Sequence, residues 1–270
     1  MPWFIDWNAY RSTFERETEK ILGQPVHVAG SADVTLLPMP SLTFTDVQVG
    51  PDPANPLMSV DSFSLHVELF PLLTGSFKVV DMAIERPRIN VTVEADGSID
   101  WLTRSEASKA LDPDAVTLQR VEIAGGELSY LDSRTGRVVA IDDINATLDA
   151  RSLLGPWKVE GGAVVEGTPT TLRLATGRLA DNGTLRVKLE ANPASAPVAL
   201  SAEGDLGIDD KGLLWNGAFS LIRPPAEAGG EAPRAGGGGW RALGKFELRP
   251  SLLRLTELTL AAGPDDRPYG

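Results

Sequence analysis

The sequence predicts an all-β protein with one N-terminal α-helix, and three observations carry this prediction. One segment has apolar residues at helical spacing, most later segments alternate apolar and polar residues, and short turn signals separate these alternating runs. Parallel βαβ units would need helical crossovers between strands, and the spacing contains almost none. We therefore expect antiparallel meanders, which amount to one long antiparallel sheet.

The helix is predicted over residues 6–22. Asp6 can cap the first amide groups, and Gly23 followed by Pro25 is a typical helix end. The opposite face of the helix is charged. The predicted apolar face consists of Trp7, Tyr10, Phe14, Thr18 and Ile21.

Strands are predicted from the period of two that begins after Pro25. The clearest alternation lies in residues 62–70, 88–94, 144–149, 185–190 and 198–202. Turns are predicted at Asp96–Gly97, Gly125–Gly126, Asp132–Gly136, Asn182–Gly183 and Lys211–Gly212.

Two stretches interrupt the strand pattern. Thr103–Ala115 is predicted to be a linker, and Arg223–Gly239, which is rich in Pro, Ala and Gly, is predicted to be a flexible loop. We accordingly divide the chain into a helix plus β-meander at residues 1–104 and a continuing β-rich section at residues 105–270.

Composition excludes several classes of function. The net charge of −12 argues against nucleic acid as a partner, because such proteins neutralise phosphates with Lys and Arg. The absence of cysteine excludes disulfides and thiolate metal sites. No stretch approaches 18 consecutive apolar residues, although Trp3 and Trp7 near the start are suited to a membrane interface.

Motifs for catalysis and cofactors are weak. His27 and His66 lack the spacing of metal ligands, and no Gly-x-Ser-x-Gly elbow exists for a serine hydrolase. The glycines at 237–239 formally match a dinucleotide fingerprint, but they follow a low-complexity loop instead of a strand. Trp215 and Trp240 are expected in core or rim packing. We predict no catalytic residues, no metal, no cofactor and no enzymatic activity.

A set of short fragments, in this order and spacing over roughly the first 160 residues, resembles the AsmA-like family of bacterial envelope proteins. The fragments are Ile21-Leu22-Gly23-Gln24-Pro25-Val26, Gly30, Leu36-Leu37-Pro38-Met39-Pro40-Ser41-Leu42, Asp46-Val47-Gln48-Val49-Gly50, Phe70-Pro71-Leu72-Leu73-Thr74-Gly75, Glu85-Arg86-Pro87-Arg88-Ile89, Asp96-Gly97-Ser98-Ile99-Asp100-Trp101, residues 123–136 and Leu153-Leu154-Gly155-Pro156.

This resemblance implies an inner-membrane anchor before the helix, a periplasmic β-rich body and a role in outer-membrane assembly or lipid homeostasis. It also implies a long curved sheet, a half-pipe or β-taco, that carries phospholipid or other acyl lipids on an apolar inner face. Envelope proteins are further expected partners. We expect that the anchor implied by this resemblance has been removed from the chain, and that the chain is truncated at its C-terminus.

The alternating strands give a physical reason for a lipid partner, because one apolar sheet face must be covered by a second layer or a ligand. The alternative is a periplasmic interaction or scaffold module with a closed β-sandwich core that binds a partner by an edge strand. The residues predicted to line a lipid groove are Phe63, Leu65, Val67, Leu69, Ile89, Val91 and Val93.

Overall fold

The structure is a computed structural model of the chain. It describes residues 11–35, 41–67, 77–94, 98–99, 116–150, 152, 154–209, 212–224 and 239–262. The predicted linker and most of the predicted loop lie outside these residues, as do the turn at Asp96–Gly97 and the helix residues before Arg11. Within the described residues the protein is all-β with one N-terminal helix, as predicted.

Helix α1 spans Arg11–Leu22. It ends where the sequence predicts, because Gly23 has a φ of 68° and its amide donates to the Glu19 carbonyl over 2.8 Å. Pro25 then begins the extended chain.

In the part of the chain that the structure describes, fifteen strands follow the helix. In chain order they are β1 (Val26–Val28), β2 (Ala32–Thr35), β3 (Ser41–Val49), β4 (Met58–Val67), β5 (Phe77–Glu85), β6 (Arg88–Val93), β7 (Val116–Asp132), β8 (Arg137–Ala150), β9 (Trp157–Val165), β10 (Thr168–Thr176), β11 (Leu185–Pro193), β12 (Ala199–Asp209), β13 (Gly212–Arg223), β14 (Trp240–Arg249) and β15 (Leu252–Ala262).

All fifteen strands form one sheet, in the order β1-β3-β4-β5-β7-β8-β9-β10-β11-β12-β13-β14-β15, with β2 beside β3 and β6 beside β4 and β7. The sheet is mixed rather than wholly antiparallel, because β5 and β6 each pair with β7 in parallel. The last residue of β6, Val93, therefore pairs with the last residue of β7, Asp132, although β7 follows β6 in the chain. The alternation of apolar and polar residues indicates which face of the sheet a side chain occupies. It does not indicate whether neighbouring strands are parallel or antiparallel, so the sequence could not predict these parallel pairs.

A row of backbone irregularities crosses β3, β5–β6, β7 and β8. Positive φ angles occur at Asp46, at Arg86 between β5 and β6, at Gly125 and at Asp143. The prediction of a turn at Gly125–Gly126 is wrong, because β7 runs through both glycines as a bulged strand. A bulge inserts one extra residue into a strand. After the bulge, the apolar side chains on one face therefore switch from odd to even residue numbers, or the reverse.

The best-packed core lies between α1 and the first strands. Phe14 of α1 stacks on Phe44 of β3 with 3.9 Å between ring centroids, and its ring lies 6.1 Å from that of Phe63. The Glu15 carboxylate accepts from the Val28 amide over 2.8 Å, and Arg11 donates to the Gly30 carbonyl. The helix is thus fixed across one end of the sheet.

Candidate functional site

One face of the sheet is apolar along two adjacent rows of residues that pair from strand to strand. We call these two rows the inner face. The first row is Ala32, Phe44, Phe63, Ile84, Ile123, Ala146, Gly161, Leu172, Ala191, Leu200, Leu221, Ala242 and Leu260. The second row is Val34, Leu42, Leu65, Met82, Val121, Leu148, Val159, Leu174, Leu189, Ala202, Phe219 and Gly244.

The paired row between these two faces the other way and is mostly polar. Its members are Asp33, Thr43, Ser64, Ala83, Glu122, Thr147, Glu160, Arg173, Glu190, Ser201, Ser220, Leu243 and Thr259. Successive side chains of a strand point to opposite faces, so this outer face is the hydrated one.

Ion pairs reinforce the outer face. Arg186 contacts Glu203 over 2.9 Å and Asp205 over 3.3 Å, and Lys188 contacts Glu190 over 2.7 Å. The hydrogen bond to Glu203 is the main reason that the pKa of Arg186 is raised. These ion pairs are exposed and contribute little to the stability of the fold, but their charges make this face of the sheet hydrophilic.

The inner face is only partly buried in the later strands. Leu172, Leu200 and Leu221 are half-buried, whereas Ala202 and Ala242 are 7% and 6% exposed. On β15, Leu260 of the first row is 60% exposed. The short alanine side chains of the inner face are therefore covered, while the longer leucine side chains remain partly accessible.

The sheet curls toward its inner face. Tyr130 at the end of β7 donates to the Pro250 carbonyl in the β14–β15 turn, and Arg134 donates to the Ser251 carbonyl over 3.1 Å. β7 and β14 are seven steps apart in the strand order, which is about 34 Å in a flat sheet. We call these two contacts the clasp. They bring one end of the curled sheet together, as the predicted half-pipe requires.

A pocket of about 380 Å³ lies beneath the clasp. Tyr130 enters it from β7, and residues of β12, β13 and β14 line the opposite wall. The lining residues are Ile99, Tyr130, Leu206, Leu213, Trp215, Leu248, Arg249 and Pro250.

Two polar groups of the pocket are fixed by the surrounding structure. Burial is the main reason that the pKa of Tyr130 is raised, so its hydroxyl is a donor at neutral pH. Arg249 binds Asp209 through two hydrogen bonds of 2.9 and 2.7 Å and Glu247 through one of 3.0 Å. The bonds to Asp209 are the largest reason that the pKa of Arg249 is raised.

We expect Tyr130→Phe to loosen the clasp while the ring stays in place. The change removes one hydrogen bond, so the free energy of unfolding should fall by about 1 kcal/mol. Hydrogen exchange at the amides of residues 251–253 should become faster in the variant. Ser133→Ala, an exposed change in the same hairpin, is the control. Equal exchange in both variants would show that the hydroxyl does not hold the turn.

The structure places the predicted groove residues in different environments. Phe63 and Leu65 lie on the inner face, but Phe63 packs against the helix core. Val93 is fully buried, Val91 is half-buried, and Ile89 borders a pocket of about 570 Å³ that both polar and apolar residues line. Val67 belongs to β4 through its backbone, and Leu69 lies outside the described residues.

Large inner-face side chains of β10, β12 and β13 are half-buried, and Leu260 of β15 is exposed, although the sequence analysis predicted no groove residue in these strands. The alternation of β11 and β12 was a usable signal, since it is as regular as that of β4. No sequence pattern predicts that Tyr130 and Trp215 line the same pocket. Their proximity depends on the curvature of the sheet between β7 and β13.

Within the described residues, no group of three or more His, Cys, Asp or Glu side chains is placed to hold a metal ion. In the same part of the chain, no helix has the length and apolar character needed to cross a membrane.

Comparison with known proteins gives one match. The sequence model of the AsmA family matches residues 1–184, about two thirds of the chain. Neither the curated proteins nor the solved structures contain a match.

Proposed function

The chain belongs to the AsmA family, which is envelope-associated and is not a known enzyme family, and from this membership we propose that it binds phospholipid acyl chains along its inner face. In this proposal the protein is non-enzymatic and conducts lipid between the inner and outer membranes. It works in the periplasm, anchored to the inner membrane by a segment before the helix, and serves outer-membrane assembly or lipid homeostasis.

The observation that carries the proposal is the continuity of the two apolar rows. Each row crosses at least twelve strands without a charged residue. A soluble globular protein rarely leaves so long an apolar surface accessible without a ligand or partner. The row of bulges supports the same proposal, because it keeps apolar side chains on one face along strands as long as β7 and β8.

The energy available is large enough to hold a lipid without a specific polar contact. An acyl chain that buries about 12 methylenes at ~0.8 kcal/mol each gains roughly 10 kcal/mol before entropy losses. The inner face offers leucines for this contact, among them Leu172, Leu200 and Leu221.

The closed sandwich is the weaker candidate. Its second sheet would bury the large inner-face side chains, yet these remain half-buried in β10, β12 and β13. The half-exposed rows therefore favour a trough that takes a ligand.

Site-specific photocrosslinking tests the proposal. Leu200 on the inner face and Ser201 on the outer face are adjacent and similarly exposed, so each is replaced in turn by p-benzoylphenylalanine. The protein is mixed with phosphatidylethanolamine–phosphatidylglycerol vesicles that carry a tritiated acyl chain. We expect labelled adducts at position 200 and several-fold fewer at position 201, because alternating side chains face opposite sides.

A second pair of positions, Leu221 and Ser220, repeats the comparison one strand away. Equal labelling of inner and outer positions, or none at either, would contradict lipid binding by the inner face. Folding of each variant is checked by circular dichroism, so that a lost adduct is not confused with a lost fold.

A further inference from the structure

We propose that the pocket beneath the clasp binds the ester-linked end of an acyl chain, with the Trp215 indole N–H donating to the ester carbonyl. This inference rests on the proposed function, because it assumes that lipid occupies the inner face. It adds a fixed polar contact, and therefore a chemical preference, to a surface that is otherwise apolar.

The shape and lining of the pocket fit an acyl chain. Its volume of about 380 Å³ lies within the range of small-molecule sites. Leu206, Leu213 and Leu248 supply one wall from three neighbouring strands, and Tyr130 supplies the other through the clasp. Leu206, Trp215 and Leu248 lie on the same side of their strands as the inner face, so the pocket opens on that side of the sheet.

Trp215 supplies an unused hydrogen-bond donor. Its Nε1 atom has almost no accessible surface and finds no acceptor within the part of the chain that the structure describes, so a bound carbonyl would displace neighbouring side chains to reach it. The ring is held by an edge contact with Phe246, at 4.8 Å between centroids and 75° between planes. A buried N–H without a partner costs free energy that a bound acceptor would recover. A carbonyl is such an acceptor.

The charges at the pocket favour a neutral ligand group over an anionic one. Arg249 is the cation among the lining residues, and Asp209 and Glu247 already neutralise it. Glu247 also contacts Arg254 over 3.3 Å. Among the described residues that line the pocket, a phosphate or a free carboxylate would thus find no uncompensated positive charge, whereas an ester carbonyl needs none.

Calorimetric titration with two short-chain lipids tests the contact. The probes are diheptanoyl-phosphatidylcholine and its diheptyl ether analogue, which lacks the carbonyls, both below their critical micelle concentrations. We expect the 270-residue chain to bind the ester about three- to tenfold more tightly than the ether, as one hydrogen bond allows. Trp215→Phe keeps an aromatic ring but removes the N–H, so the ester preference should fall to about onefold.

Trp240→Phe is the matched control, since Trp240 also lies on the inner side of β14 and should retain the preference. Equal binding of ester and ether by the unaltered chain would overturn the inference, as would a preference that survives Trp215→Phe or disappears in Trp240→Phe. Failure of the unaltered chain to bind either probe would instead overturn the proposed function. The ester-to-ether ratio does not depend on the folded fraction of a variant.

Discussion

Replacing Phe44 by alanine is expected to lower the free energy of unfolding by about 3–5 kcal/mol, as is typical of a buried aromatic residue. Phe44 is 3% exposed and stacks on Phe14 at 3.9 Å, so its loss leaves a cavity and removes one of the contacts that hold α1. Urea denaturation followed by circular dichroism measures the change.

Leu255→Ala is the control for this experiment. Leu255 belongs to the inner side of β15 but is 50% exposed, so its truncation should cost less than about 1 kcal/mol. A similar loss of stability in both variants would show that the helix core is no better packed than the far end of the sheet.

The helix and the strands were predictable because their signals are local. Gly23 ends α1 through a left-handed φ, which is the conformation that glycine tolerates best. The alternation in residues 185–190 became β11 because a period of two places all the apolar residues on one face.

Strand direction was not predictable, because it is decided by the path of the connection. The prediction of antiparallel meanders holds for β8 to β15, where each strand pairs antiparallel with the next strand along the chain. It fails at β7, which lies parallel to β5 and β6. The residues between Val93 and Val116 do not alternate in a way that distinguishes a return crossover from a linker.

The bulges were misread for a related reason. Gly125–Gly126 has the composition of a turn, but a neighbouring strand carries a matching irregularity at Asp143. A local sequence pattern describes one strand at a time. It therefore cannot show that the four positive-φ residues of neighbouring strands lie side by side in the sheet. In β7 the apolar residues switch from odd numbers, as at Ile123, to even numbers, as at Leu128. This switch is the only local sign of the bulges in the sequence of β7.

The alternation predicted an apolar sheet face, but it could not predict which part of that face other elements cover. Phe63 belongs to the apolar face as expected, yet α1 covers it through Phe14. Helix docking and the clasp between Tyr130 and Pro250 are long-range contacts. They decide which part of an apolar row stays accessible, and they follow from curvature, which alternation does not encode.

Close strand approach across the inner face can be tested with Gly161 and Gly162 of β9. A methyl group at Gly161 would lie 2.2 Å from the Asn145 carbonyl oxygen and 2.7 Å from the Ala146 Cα, whereas at Gly162 the nearest atom is 3.6 Å away. Both glycines have φ outside the left-handed region, so the difference comes from space alone.

We expect Gly161→Ala to destabilise the protein by about 1–3 kcal/mol, because β8 and β9 must separate to admit the methyl group. Asn145 also accepts a hydrogen bond from the Gly125 amide over 3.0 Å, so the displacement would reach the bulge in β7. Gly162→Ala should be neutral or stabilise by up to about 1 kcal/mol, because alanine restricts the unfolded chain more than glycine does. The midpoints of urea denaturation of the two variants test this prediction. Equal midpoints would show that β8 and β9 are not as close at Gly161 as the structure places them.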